Sequence, residues 1–183
     1  MENYTDVQKV TLLNLARNAL TEYLNEKEIT VTKEIKKTFC ASHGVFITLN
    51  KEKHLRGCIG CIESDKPLYQ EVINNVISAG VSDPRFPSVT LNQLEALNIE
   101  ISILSKLEIS DFEYLKENKE GVVIKNGPYQ ATYLPSVWRQ FKNKKQFLES
   151  LSKKAGLRPD AYMDKNTQFF TYEAVTFSEE DFK

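Results

Sequence analysis

Residues 98–104, NIEISIL, alternate apolar and polar side chains, which places Ile99, Ile101 and Ile103 on one face and Glu100 and Ser102 on the other. Side chains two residues apart share a face only in an extended chain, so the segment requires a half-buried strand with one face packed. The rest of the sequence must supply partner strands for it and helices to cover its apolar face. Both are legible. The TDVQ stretch has the form of a capping box, and Val10, Leu13, Ala16, Leu20 and Leu24 follow it at helical spacing. TVTKEIKKTF predicts a second, short helix begun by Thr32, and Pro67 stands where a first-turn proline belongs. From there Leu68, Val72, Ile73, Val76 and Ile77 form the stripe of a helix running to about Val81.

The expected partner strands are GVFITLN and, paired with it, the glycine-interrupted HLRGCIGCI. Further on, Asn126-Gly127 divides GVVIKNGPYQATYLP into a hairpin. Pro128 cannot donate to a ladder, so its strand should lie at an edge or turn that position outward. KQFLESLSKKAGL predicts an amphipathic helix through Phe147, Leu148, Leu151 and Ala155, stopped by Gly156 and Pro159. The final TQFFTYEAVTF is expected as one strand closing the sheet. Helices and strands mixed in this irregular order, with a hairpin, point to an α+β fold with a largely antiparallel or mixed sheet and flanking helices. At 183 residues, with no linker or repeat, the chain is expected to form a single domain, residues 1–183.

Charge narrows the function classes. With 24 Lys+Arg against 25 Asp+Glu the formal charge is -1, which lacks the basic field that nucleic-acid binding uses. No run approaches the roughly 18 apolar residues of a membrane span. The absence of a leader-like N-terminus and the odd count of 3 cysteines lead us to expect a cytoplasmic protein with reduced thiols.

The densest chemical signal is HLRGCIGCIES, residues 54–64, with Cys58 and Cys61 in C-x-x-C spacing. A redox dithiol would place its first thiol at a helix N-terminus, and here the pair lies in β-type sequence. A zinc site is open on count, because Cys40 and His43 complete C-x2-H-x14-C-x2-C. Buried cysteines of no chemical role are a third reading. In the fourth, Cys58 is a single reactive thiol: Gly57 and Gly60 let the backbone approach a ligand, and a bulge at Gly57 would swing the Arg56 guanidinium toward the thiol or a bound carboxylate or phosphate. His43 and His54 are the imidazoles available as a base. The other concentrated stretch, SDPRFPSVT, sets Asp83 and Arg85 around a proline, either as a self-contained ion pair and helix stop or as one wall of a polar pocket. YLPSVW reads as packing around Trp138.

Taken together and in order, LRGCIG, SDPRFPSVT, EISIL, GVVIKNG, ATYLPSVW and FLESLSKKAGL resemble the AMMECR family, whose bacterial members are labelled AmmeMemoRadiSam system protein A. The resemblance runs over nearly the whole chain. It implies one α+β unit with a larger and a smaller lobe and the signature facing a cleft between them. The family's motifs fall on Leu55, Arg56, Gly57, Cys58, Ile59 and Gly60, and on Asp83, Pro84, Arg85 and Phe86. Cys40, His43, His54 and Cys61 lie outside them, so neither a dithiol nor a zinc site accounts for the shared motif, and no metal or cofactor is expected. The implied function is an enzyme, or an enzyme-like binder of a small metabolite, in a pathway with Memo-like and radical SAM proteins. In that reading Cys58, Arg56 and Asp83 are catalytic, and Gly57, Gly60, Arg85 and Phe86 bind the ligand. The alternative is a non-enzymatic scaffold or binding subunit for those same partners.

Overall fold

A computed structural model describes residues 3–183, which fold as two compact units: residues 3–104 with 175–183, and residues 105–174 inserted between them. The architecture is α+β, with two four-stranded sheets.

The first unit begins with α1 (Asp6–Leu24), capped as its sequence predicts: the Thr5 hydroxyl accepts from the Gln8 amide, and the Gln8 side chain accepts from the Thr5 amide. After α2 (Lys33–Thr38), capped by Thr32, come β1 (Val45–Lys51), β2 (His54–Cys61) and α3 (Leu68–Val81), which starts one residue after Pro67. The alternating segment is β3 (Leu97–Leu104). The sheet order is β2-β1-β3-β8, where β8 is Ala174–Ser178, and β1 pairs antiparallel with both β2 and β3. Val45, Ile47 and Leu49 line up with Ile103, Ile101 and Ile99 in one buried layer, which α1 and α3 cover with Leu12, Ala16, Leu20, Val72 and Val76. A buried side chain of this size contributes roughly 1.5–3 kcal/mol, so this layer specifies which face is inside.

The β1–β2 connection is a two-residue turn, Glu52-Lys53, with φ of 51° and 66°. Both central residues of such a hairpin turn need the left-handed region, which Asn-Gly usually supplies and Glu-Lys occupies at a cost of about 1 kcal/mol each.

The C-terminal residues are tied to this unit through Glu179. Its carboxylate accepts from the Arg17 guanidinium and from the Ile99 amide, while Arg17 also donates to the carbonyls of Leu94 and Leu97.

The second unit holds β4 (Glu108–Ser110), β5 (Gly121–Asn126), β6 (Tyr129–Tyr133), α4 (Lys144–Lys154) and β7 (Gln168–Tyr172), in sheet order β4-β7-β5-β6. Asn126 pairs with Tyr129, so Gly127 (φ 56°) and Pro128 form the turn, and the missing proline N–H costs no ladder bond. Its core stacks Trp138 on Phe147, ring centroids 3.5 Å apart and 4° from parallel. The last apolar stretch departs from expectation: it is two strands, β7 in this sheet and β8 in the first, with Glu173 between them. Among the described residues no helix is long and apolar enough to cross a membrane.

Candidate functional site

Strand β2 is an edge strand, and its outer edge at Cys58 is closed by side chains instead of a further strand. The Cys58 amide donates to Asp83 Oδ2 at 2.9 Å, and the Cys58 carbonyl accepts from Arg85 Nη2 at 3.1 Å. An acceptor and a donor at this spacing stand in for a neighbouring strand. They are placed by the DPRF turn, in which the Phe86 amide donates to the Asp83 carbonyl and the Arg85 amide to Asp83 Oδ1. Pro in the second position and Asp in the first suit such a turn. Arg85 Nε and Nη2 then close on the same carboxylate at 2.9 and 2.7 Å. Asp83 therefore accepts four N–H groups, while its side chain is only 2% exposed. Arg85 holds that carboxyl well below the usual carboxylate range, against the opposing effect of burial. A carboxylate held this way orients Arg85, and it has no proton to deliver near neutral pH.

Arg85 itself is raised, first by Asp83 and in smaller part by Cys58, so its guanidinium lies within electrostatic reach of the thiol. Its side chain is 54% exposed and its carbon lies 5.5 Å from the centre of the Phe86 ring. Phe86 is half-buried and forms the surface on which the cation rests.

Because the amide and carbonyl of Cys58 turn away from β1, Cys58 and its partner Thr48 form the close kind of antiparallel pair, in which side chains meet. The Thr48 hydroxyl accordingly donates to Cys58 Sγ at 3.4 Å. Thr48 is also directly opposite Glu100 on β3. A thiol, a hydroxyl and a carboxyl thus stand in one row across three strands, on the face opposite the helices. The Glu100 carboxyl is raised, first by burial and then by Asp181. Thr48 and Glu100 are absent from the candidates that motif reading picks out. Their only trace in the sequence is the polar phase of FITLN and IEISI.

Arg56 occupies a bulge: Gly57 is opposite Leu49 and Leu55 opposite Asn50, which leaves Arg56 as the extra residue. Its guanidinium reaches Gln93 Oε1 at 3.4 Å, and Nη1 is buried without a hydrogen-bond partner among the described residues.

The two signature glycines approach the protein's own atoms. A Cβ at Gly57 would sit 2.1 Å from the Ala79 carbonyl oxygen of α3, and one at Gly60 would sit 2.4 Å from the Val45 carbonyl oxygen and 2.5 Å from the Phe46 ring. Cys61 lies on the opposite face from Cys58, as residues three apart in a strand must. Its thiol faces Glu71 Oε2 at 3.7 Å, and burial pushes its pKa up. Glu71 is satisfied by Ser64 and Asn75. Cys40 is exposed, and His43 Nδ1 bonds the Leu104 carbonyl oxygen at 3.3 Å. His54 is exposed at the start of β2. The DPRF turn, Cys58 and Thr48 are therefore brought together, whereas Cys61 lies on the other face of the sheet beside Glu71 and His54 is exposed at the start of β2.

Comparison with known proteins agrees with this fold. A Methanothermobacter thermautotrophicus protein is 33% identical over 179 residues, covering 93% of this chain and 93% of its own. A Pyrococcus abyssi protein is 34% identical, over 92% of this chain and 89% of its own. A crystal structure of an uncharacterised Pyrococcus horikoshii protein superposes with a TM-score of 0.86 at 34% identity, covering 93% of this chain and 90% of that one. The sequence model of the AMMECR1 family matches residues 13–177. With that match spanning most of both units, the chain belongs to the AMMECR1 family.

Proposed function

We propose that the first unit binds a small anionic metabolite at Cys58 and Arg85, as an enzyme or an enzyme-like binder in which Cys58 serves as nucleophile or thiolate ligand. The observation that carries this reading is the division of Arg85. Asp83 and the Cys58 carbonyl occupy Nε and Nη2, whereas Nη1 makes no hydrogen bond among the described residues, on a half-exposed side chain. A guanidinium anchored at one edge and open at the other is suited to a carboxylate or phosphate, and the anchoring lowers the entropy lost on binding. The Thr48 hydroxyl meets Cys58 Sγ at 3.4 Å and so fixes where the sulfur stands. The pathway setting implied by the resemblance, beside Memo-like and radical SAM proteins, belongs to the same proposal.

A second reading, a non-enzymatic scaffold for those partners, draws on the fact that the clamp's hydrogen bonds to Cys58 end on its backbone. Here Asp83 and Arg85 only finish the edge of a sheet. Two measurements separate the readings. Titration of the folded protein with inorganic phosphate and a series of small mono- and dicarboxylates should reveal a ligand whose Kd weakens at least tenfold in Arg85→Ala. Iodoacetamide should modify native Cys58 faster than Cys61, and the bound ligand should slow it. No binding by any probe, together with equal labelling of the two thiols, would leave the scaffold.

A further inference from the structure

Glu100 is the one half-buried carboxyl in the Cys58 row, and the fold gives it no structural task. The polar groups beside it on this face are engaged: Thr48, opposite it on β1, with Cys58, and Ser102, two residues along β3, with Thr176 of β8. Glu100 makes no hydrogen bond or ion pair among the described residues, although burial of a carboxyl ordinarily comes with partners. Its oxygens are not sealed from solvent. Asp181 is the charged group that acts on Glu100.

The register makes the connection. Thr48 and Glu100 are directly opposed, and directly opposed residues have Cβ atoms about 5 Å apart, a gap that a glutamate side chain is long enough to span. A hydroxyl can accept one proton while giving up its own. We infer that Glu100 is the proton acceptor for Cys58, reached through the Thr48 hydroxyl. The thiol proton passes to Thr48 Oγ1, the Thr48 proton passes to the Glu100 carboxylate, and the products are a Cys58 thiolate and a neutral Glu100. The raised affinity of Glu100 for a proton supports the role, because a base nearer to neutrality is the better acceptor. Thr48 in this scheme is a positioning residue.

The inference rests on the reading of Cys58 as a reactive thiol, and the test separates the two. Iodoacetamide alkylation is a suitable probe reaction: the sulfur–carbon bond forms, iodide leaves, and the thiol proton must go to a base. The rate at Cys58 is followed by peptide mass spectrometry between pH 5 and 10 in the full chain, with Cys61 as internal reference. The expected wild-type profile has two inflections, one from a carboxyl and one from the thiol. Glu100→Gln should remove the first and lower the rate at least tenfold between pH 6 and 7, leaving the rate at pH 10 unchanged. Thr48→Val should do the same and Thr48→Ser should restore the profile, which a general loss of structure would not do. Superimposable profiles for wild type and Glu100→Gln, or loss of the first inflection in neither Thr48→Val nor Glu100→Gln, overturn the role of Glu100. A wild-type Cys58 no faster than Cys61 overturns the reactive thiol itself.

Discussion

Asp83 concentrates more interactions than any other side chain of the site, since four N–H groups from Cys58 and Arg85 converge on a carboxylate with almost no solvent contact. Removing it strands a backbone amide and part of a guanidinium, so Asp83→Ala should cost about 2–4 kcal/mol of unfolding free energy by urea titration at pH 7. Its acid dependence has a definite sign. The folded state holds this carboxyl below the pKa near 3.9 that it has when unfolded, so in acid the unfolded chain binds the extra proton. The stability it contributes is therefore fully present above the ordinary carboxylate range and is lost as pH falls below it. Asp83→Asn should be less stable at pH 7 and lose less stability than wild type between pH 5 and 3. Equal acid slopes for the two proteins would show that the carboxylate is not held as described. At this scale the sequence was partly legible. An Asp-Pro-Arg turn could be read from residue types, because turn chemistry is local. That its carboxylate meets Cys58 could not, because 25 residues and a helix separate the two.

Between elements, the close approach of α3 to β2 is the feature that sequence reasoning assigned to another cause. Glycines at 57 and 60 read as room for a ligand, and both places are filled by the protein's own backbone and ring. Residue type reports that space is needed and not what occupies it. Gly57→Ala should cost about 3 kcal/mol or more, since the carbonyl it meets is helix backbone that cannot rotate away. Gly127→Ala, at a turn with φ of 56° and nothing within 4 Å, should cost only about 1 kcal/mol. Thermal denaturation of the two variants side by side would check this, and a Gly57 variant as mild as the Gly127 one would mean that α3 is free to shift. The Glu52-Lys53 turn was illegible for a related reason. It has none of the glycine or asparagine that marks such turns, and it forms because β1 and β2 are held in register by the core beneath them.

For the whole chain, the second unit is an insertion whose ends meet: the Ser105 amide donates to the Glu173 carbonyl, and the Glu173 amide donates to the Ser105 hydroxyl. Each unit has its own core, and the single tryptophan, Trp138, lies in the second. Tryptophan fluorescence therefore follows one unit, whereas protection of Cys61 from alkylation follows the other. If the units unfold independently the two denaturation curves should not coincide, and a chain with residues 105–173 replaced by a short turn should retain the Cys61 protection of the full protein. Coincident curves with loss of that protection would mean that the cores unfold as one. The sequence by itself determined the principal helices, most of the strands and the α+β class, because helical stripes, caps and strand alternation are set by neighbours a few residues away. It also marked the LRGCIG and DPRF stretches as unusual. Only the tertiary structure decided that the last apolar run serves two sheets, that the DPRF turn closes the edge of β2, and that Cys58, Thr48 and Glu100 form one row. Those outcomes depend on strand register and order, which arise from how whole faces pack, and no local residue pattern encodes them.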